Sequence, residues 1–235
     1  MKYMGSKRRI IKELIPLFQL KSGDVYVEPF VGGGNSIEQI EQIGQAQGVT
    51  RKGFDSHPGT IGALKTIRDK MEILPSSNLE FTESDYMLVK KDVLHPLHSY
   101  VGYCMSYAGK WWGGWCRDSA GKRDYVAESY RNAMRQSTLL QGVLLDVQDY
   151  KTLDLHDCVV YCDPPYKGTT KYGKGNGFDS GKFWDWARQL SKNNRVFVSE
   201  YEAPSDFHCI WEKEQVSSLT KATGSKKAIE KLFRI

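Results

Sequence analysis

Short apolar runs alternate along this chain with stretches in which apolar residues recur every three to four positions. Runs such as Val25-Tyr26-Val27-Glu28-Pro29-Phe30, Val143-Leu144-Leu145-Asp146-Val147, Cys158-Val159-Val160-Tyr161-Cys162 and Arg195-Val196-Phe197-Val198-Ser199 predict strands. Lys52-Gly53-Phe54 predicts a further strand, and Cys209-Ile210-Trp211 and Lys231 to Ile235 the last two. Helical spacing appears at Ile10, Ile11, Leu14, Ile15, Leu17 and Phe18 around Pro16. It recurs through Ile37, Ile40 and Ile43, through Ile61, Leu64, Ile67 and Met71, and through Phe183, Trp184, Ala187 and Leu190. Leu79-Glu80-Phe81 reads as a short strand or edge piece. Strands alternating with helices predict an α/β fold.

Residues 86–137 interrupt that alternation. Tyr100, Tyr103, Tyr107, Trp111, Trp112 and Trp115 lie among glycines and the cations Lys110, Arg117, Lys122 and Arg123. The segment is too aromatic for a disordered linker. Its composition suits contact with nucleic acid, where cations neutralise phosphates and rings stack on or wedge between bases. A small satellite core built on tryptophan is the competing reading. His95 and His98 flank Pro96 without cysteine partners, which points to structural roles.

Candidate chemistry collects at predicted strand ends. Asp163-Pro164-Pro165-Tyr166 follows a fully apolar run. Two prolines withhold ladder hydrogen bonds and stop the strand, leaving a stiff corner with a carboxylate, a carbonyl and a ring. In an open α/β sheet ligands bind at that edge, although a plain strand-terminating turn has the same local sequence. Val31-Gly32-Gly33-Gly34-Asn35-Ser36 joins the first strand to a predicted helix and lets a ligand approach the backbone. Neither the P-loop ending nor the dinucleotide spacing of glycines is present. Asp55 ends the second strand about 20 residues after the glycines, where a carboxylate accepts ribose hydroxyls or caps a helix starting at Pro58. A nucleoside pattern without a pyrophosphate signature favours S-adenosylmethionine over NAD. Glu28 suits that cofactor's ammonium, or is a satisfied strand-end residue. Asp149-Tyr150 follows the third main strand and suits the neighbourhood of an adenine, or is a turn. Lys7 reads locally as a solvated charge. Residues 167–177 form a basic, glycine-rich segment suited to a lid, and the basic segment before Lys231 reads as mobile.

The formal net charge of +5 permits nucleic-acid binding without establishing it. No apolar run reaches membrane-span length and the N-terminus carries no signal-peptide core, so a soluble, cytoplasmic protein is expected. Five cysteines, none in a Cys-x-x-Cys pair, fit a reducing compartment, with Cys158 and Cys162 as buried thiols.

Together these residues resemble the DNA adenine methylase (D12 class) family of N6-adenine-specific DNA methyltransferases, over nearly the whole chain. Lys2-Tyr3-Met4-Gly5-Ser6-Lys7 resembles the family's N-terminal motif, Val27 to Gly34 its cofactor loop, and Asp163-Pro164-Pro165-Tyr166 its catalytic motif. Tyr3 stands where the family is familiar with Trp, and Tyr107 to Gly114 follow its recognition region only loosely. The resemblance implies a Rossmann-like methyltransferase fold, with a mostly parallel seven-stranded sheet and helices on both faces. Residues 1–85 and 138–235 would form the catalytic domain, and 86–137 an inserted, mainly helical recognition region. It implies S-adenosylmethionine held by Tyr3, Lys7, Glu28, Phe30, Gly32, Gly33, Gly34, Asn35, Asp55, Asp149, Tyr150 and Asp163. Asp163, Pro164, Pro165 and Tyr166 would methylate a flipped adenine. Lys2, Tyr107, Lys110, Trp112, Arg117 and Arg123 would meet double-stranded DNA, in a bacterial or phage-infected cell and with no obligatory protein partner. An RNA methyltransferase acting on an exocyclic amine and a silent DNA-binding relative are the alternatives.

Overall fold

The computed structural model describes residues 1–43, 48–118, 120–166, 178–216 and 227–235. Its strands are β1 (Val25–Glu28), β2 (Thr50–Asp55), β3 (Leu144–Val147), β4 (Cys158–Cys162), β5 (Arg195–Glu200), β6 (His208–Val216) and β7 (Lys227–Arg234). They form one sheet in the order β3-β2-β1-β4-β5-β7-β6, parallel except for β7, which runs antiparallel to β5 and β6. The expected mostly parallel, seven-stranded sheet is therefore present.

The two-residue period of the strands divides the core. Tyr26, Val159, Tyr161, Phe197 and Leu232 point to one face, and Val27, Val160, Cys162, Val196, Val198 and Phe233 to the other. The first face is covered by α1 (Ile11–Leu14), α2 (Pro58–Asp69), α3 (Glu83–Lys91), α4 (His98–Cys104) and α5 (Tyr125–Leu139). The second is covered by α6 (Ser180–Leu190), through Phe183, Trp184, Ala187 and Leu190. Pro16 turns the end of α1 into a 3₁₀ segment, Ile15–Phe18. Cys158 and Cys162 are both buried.

Residues 86–137 do not stand apart from this core. Tyr86, Val89, Tyr100, Val101, Val126 and Ala133 are buried within the first face. α5 is the crossover into β3. Its C-terminal end is fastened by Arg51 of β2, which donates to the carbonyls of Leu139 (2.8 Å) and Gln141 (2.6 Å) and pairs with Glu41. A buried guanidinium there answers the orphan carbonyls of a helix end. Trp111 is wedged between α2 and α4. A Cβ at Gly59 would lie 2.5 Å from its ring, and one at Gly102 2.4 Å. His98 joins the same cluster: Nδ1 donates to the Val89 carbonyl (2.9 Å), and Nε2 accepts from the Trp112 indole (3.3 Å). That pair of partners fixes the neutral Nδ1–H tautomer.

Three local expectations change. β1 ends at Glu28 instead of Phe30, because Pro29 cannot continue the ladder. The helix expected through Ile37, Ile40 and Ile43 is two 3₁₀ segments, Ile37–Gln39 and Glu41–Ile43, and residues 44–47 lie outside the described residues. Leu79-Glu80-Phe81 is a turn. Ser76 donates to Glu80 from N (2.7 Å) and Oγ (2.8 Å), Phe81 N bonds back to Ser77, and Leu79 is 95% exposed. Local side-chain bonds decide the conformation where no neighbouring strand is available.

Candidate active site

β1, β2 and β3 step outward in one direction, and the chain then returns to place β4 on the other side of β1. This reversal is the topological switch point, and the crevice lies beyond the carboxyl ends of β1 and β4. Val27 pairs with Val160, and Glu28 with Gly53, so Glu28, Asp55 and Asp163 emerge at the same sheet edge.

Asp163 leaves β4 just before the two prolines, with a side chain 22% exposed. Lys7, only 7% exposed, brings its ammonium 3.2 Å from Asp163 Oδ1 and 3.3 Å from Glu230 Oε2, and 4.4 Å from the Tyr166 ring centroid. The Tyr166 hydroxyl donates to Glu230 Oε2 at 2.7 Å, and its ring meets Tyr201 edge to face at 4.7 Å. Burial pushes the Asp163 carboxyl up, Lys7 opposes and Glu230 adds to the rise, leaving it at about 6. Burial lowers the affinity of Lys7 for its proton, but Asp163 and Glu230 outweigh it and the net direction is upward. At neutral pH this corner is an ionised carboxylate facing an ammonium.

The glycine loop is tied to β2. Asp55 accepts from the backbone N–H of Gly32 (3.2 Å) and of His57 (2.9 Å). Burial raises the Asp55 carboxyl to about 6 against those two bonds. Each oxygen keeps a further lone pair for another donor. Gly33 lies under Tyr3, where a Cβ would sit 2.5 Å from the Tyr3 side chain. The Tyr3 ring also packs against Tyr103 at 5.5 Å. Asn35 is buried and donates to the Met1 carbonyl (3.1 Å). Tyr3 and Asn35 share the lining of a cavity of about 310 Å³ with Ser6, Arg8, Glu38 and Gln136, apart from Asp55 and Asp163. Gly34 has its own neighbour in Leu64 of α2.

Glu28 is 2% exposed and accepts from the Tyr26 hydroxyl at 2.9 Å. Burial raises its carboxyl well above the usual range. Phe30 lies at the mouth of an aromatic wall, 5.1 Å from Tyr150 and 5.7 Å from Phe183, with Phe178 at 6.0 Å. Tyr150 is 6% exposed, yet its hydroxyl has no partner among the described residues. Asp149 is exposed at that edge and accepts from the Lys151 N–H.

No protein-family model matches this sequence, and no curated protein does. Solved structures give distant likenesses. The rRNA methyltransferase aviRa from Streptomyces viridochromogenes is 12% identical, over 99% of this chain and 86% of its own, with a TM-score of 0.45. Precorrin 8w decarboxylase from Methanobacterium thermoautotrophicum is 11% identical over 99% and 91%, with a TM-score of 0.42. M. jannaschii TYW2, in complex with AdoMet, is 14% identical over 100% and 80%, with a TM-score of 0.36.

The residues expected to meet nucleic acid are mostly engaged. Lys2 pairs with Glu128 at 3.0 Å and lies over the Tyr125 ring; Arg123 shares the same two partners. Arg117 pairs with Glu83. The Trp112 ring packs against Tyr86 and His98. Tyr107 and Lys110 are exposed. Residues 167–177, expected as a lid, and most of the basic stretch before Lys231 lie outside the described residues.

Glu230 is the site residue that sequence reasoning missed. Its one signal is period: it shares a strand face with Leu232, so a charge stands where the alternation calls for an inward side chain. Tyr103 was assigned to the inserted aromatic segment, and only the fold brings its ring to Tyr3.

Proposed function

We propose that this chain transfers a methyl group from S-adenosylmethionine to an exocyclic amino group of a nucleobase, with N6 of adenine in double-stranded DNA as the substrate. The observation that carries the reading is Asp163: a mostly buried, ionised carboxylate on a proline-stiffened corner at the switch point, beside an aromatic ring and the Lys7 ammonium.

Tyr150, Phe30 and Asp55 fit the cofactor, whereas Tyr3 and Asn35 line the separate cavity. The Tyr150 hydroxyl is a buried polar atom with no partner among the described residues, set against the Phe30 wall, and suits an adenine edge. Asp55 retains lone pairs for ribose hydroxyls, while Gly33 is covered by Tyr3 and Asn35. Glu28 is the poorest fit, since it is already bonded and deeply buried. Bound there, S-adenosylmethionine supplies an electrophilic methyl group.

The amino nitrogen of adenine is a weak nucleophile because its lone pair is delocalised into the ring. The Asp163 carboxylate and the Pro164 carbonyl accept its two N–H groups. Held so, the nitrogen pyramidalises and its lone pair is aimed, while fixed negative charge stabilises the positive charge that develops on it. No covalent intermediate with the protein is required. Tyr166 stacks on the base, which has to leave the duplex to reach the corner. These acceptors recognise an amine and not a sugar, so an RNA amine satisfies them equally and is the second reading.

The test is methyl transfer from isotopically labelled S-adenosylmethionine to unmethylated duplex DNA and, in parallel, to structured RNA, followed by nucleoside mass analysis. N6-methyldeoxyadenosine is the expected product. Label only in RNA would move the substrate to the second reading. Label in neither overturns the proposal.

A further inference from the structure

Glu230 reaches the site from the last strand, and two donors converge on one of its oxygens. The Tyr166 hydroxyl is 2.7 Å from Oε2 and the Lys7 ammonium 3.3 Å from it, while Lys7 is also 3.2 Å from Asp163 Oδ1. Resting on the amine methyl transfer proposed above, we infer that Glu230 is a positioning residue: it fixes the Tyr166 ring through its hydroxyl and shares the Lys7 ammonium, so that Asp163 can exchange that ammonium for the substrate amine.

The charge balance carries the argument. Lys7 and Asp163 alone would make a neutral pair in a mostly buried place, and a buried pair with one good partner on each side is hard to open. Glu230, 15% exposed, gives Lys7 a second anion and leaves the cluster with one net negative charge. That residual charge faces the cation developing on the substrate nitrogen, where a low dielectric makes it effective. Among the described residues, the remaining groups around Asp163 do not do this. Tyr161 and Cys162 precede it on β4, and burial raises the thiol and phenol well above their usual ranges. Glu28 of β1 is raised by burial and bonded to Tyr26. The Tyr166 hydroxyl donates to Glu230 and also bonds Asp163, which lowers that carboxyl without adding charge, and Tyr201, beyond Glu200 of β5, presents a ring. Glu230 is also the group that supports the ring itself. Tyr166 has Lys7 against its face, Tyr201 at its edge and Glu230 on its hydroxyl, which together fix its plane for stacking.

Glu230→Gln keeps an acceptor for the Tyr166 hydroxyl and nearly the same shape, but removes the charge. Lys7 then belongs to Asp163 alone. The expected result is a kcat lowered by about 10- to 100-fold, the loss of one charged hydrogen bond, with KM for the nucleic acid little changed. The acid limb of kcat/KM should also move to lower pH, because the like charge that raises Asp163 is gone. Glu230→Ala additionally releases the ring and should raise KM.

A strut without this role would change only the melting temperature. Wild-type kcat and an unmoved acid limb in Glu230→Gln therefore overturn the inference. One readout does not depend on turnover: the Lys7 side-chain ¹³Cε titration in lysine-labelled protein, assigned with Lys7→Arg. Its midpoint should fall in Glu230→Gln, and an unchanged midpoint overturns the shared-ammonium role. If the wild-type protein methylates neither DNA nor RNA, the methyl-transfer reading fails while this titration still decides the coupling. Should Glu230→Gln not fold, Glu230→Asp keeps the charge but withdraws it from the Tyr166 hydroxyl and the Lys7 ammonium, whereas Tyr166→Phe would also remove a bond to Asp163. A lowered kcat/KM with an intact fold is then expected of Glu230→Asp, and unaltered kinetics overturn the inference.

Discussion

A carboxylate at about 6 beside an ammonium makes Asp163 a base that is ionised at neutral pH and neutral in mild acid. Methyl transfer should accordingly fall as pH drops through about 6, and a pH series of kcat/KM measures it. Asp163→Ala should lower methyl transfer by about 10²- to 10³-fold, as for loss of one preorganised group. Nucleic-acid binding in a gel-shift assay should persist. Asp55 has the same direction of shift, with a stability consequence. A carboxyl raised from 3.8 to about 6 binds its proton more tightly folded than unfolded, so the stability it lends is full below 3.8 and is lost as pH rises through about 6. Asp55→Asn should remove that slope. Thermal melts at pH 4.5 and 7.5 should find the variant relatively more stable at the higher pH, by at most about 3 kcal/mol. Its binding to S-adenosylmethionine, read by calorimetry, should weaken. Asp163 and Asp55 were legible in the sequence because prolines, glycines and strand ends mark them. Glu230 carries no such mark, since its partners lie more than two hundred residues away or in another turn.

Between elements, the aromatic segment turned out to be packing as much as surface. Trp111 fits between α2 and α4 only because Gly59 and Gly102 lack side chains. Gly102→Ala places a methyl 2.4 Å from that ring and should destabilise by about 1–3 kcal/mol in chemical denaturation, as overpacked cores do. Free movement of the ring, with no loss of stability, would contradict the wedge. The composition of this stretch could not separate a stacking platform from a satellite core. A ring's partner is set by which helices cross, and no local period encodes a crossing. The same limit explains Leu79 to Phe81: strand-like residues became a turn because, among the described residues, no strand lies beside them. β1, β4 and β5 were legible, being short apolar runs buried on both faces.

For the whole molecule, net charge says less than pairing. Lys2, Arg117 and Arg123 all have carboxylate partners, whereas Lys110 is exposed and has no ion pair among the described residues. Exposed pairs are worth roughly 0–1 kcal/mol, so phosphates can compete for these cations, but each exchange releases less net charge. Lys110→Ala should therefore reduce the slope of log affinity against log salt by about one, and Arg117→Ala by less. Fluorescence anisotropy on duplex DNA over a salt series measures both. A slope unchanged from wild type in Lys110→Ala would put Lys110 away from the phosphates. Among the described residues no helix is long and apolar enough to cross a membrane.

Local chemistry determined what the sequence could tell alone. Apolar period set the strands and the face each residue takes, proline ended β1 and β4, and glycine opened the loop after β1. Those effects act within a few residues, so they survive without knowledge of the rest of the chain. Tertiary structure decided what depends on distance in space. It set the strand order that puts β1 beside β4, the seating of Trp111 between two helices, and the meeting of Lys7, Asp163, Tyr166 and Glu230 from three separate parts of the chain. Coulomb and hydrogen-bond energies depend on separation and burial, and neither is written in residue order.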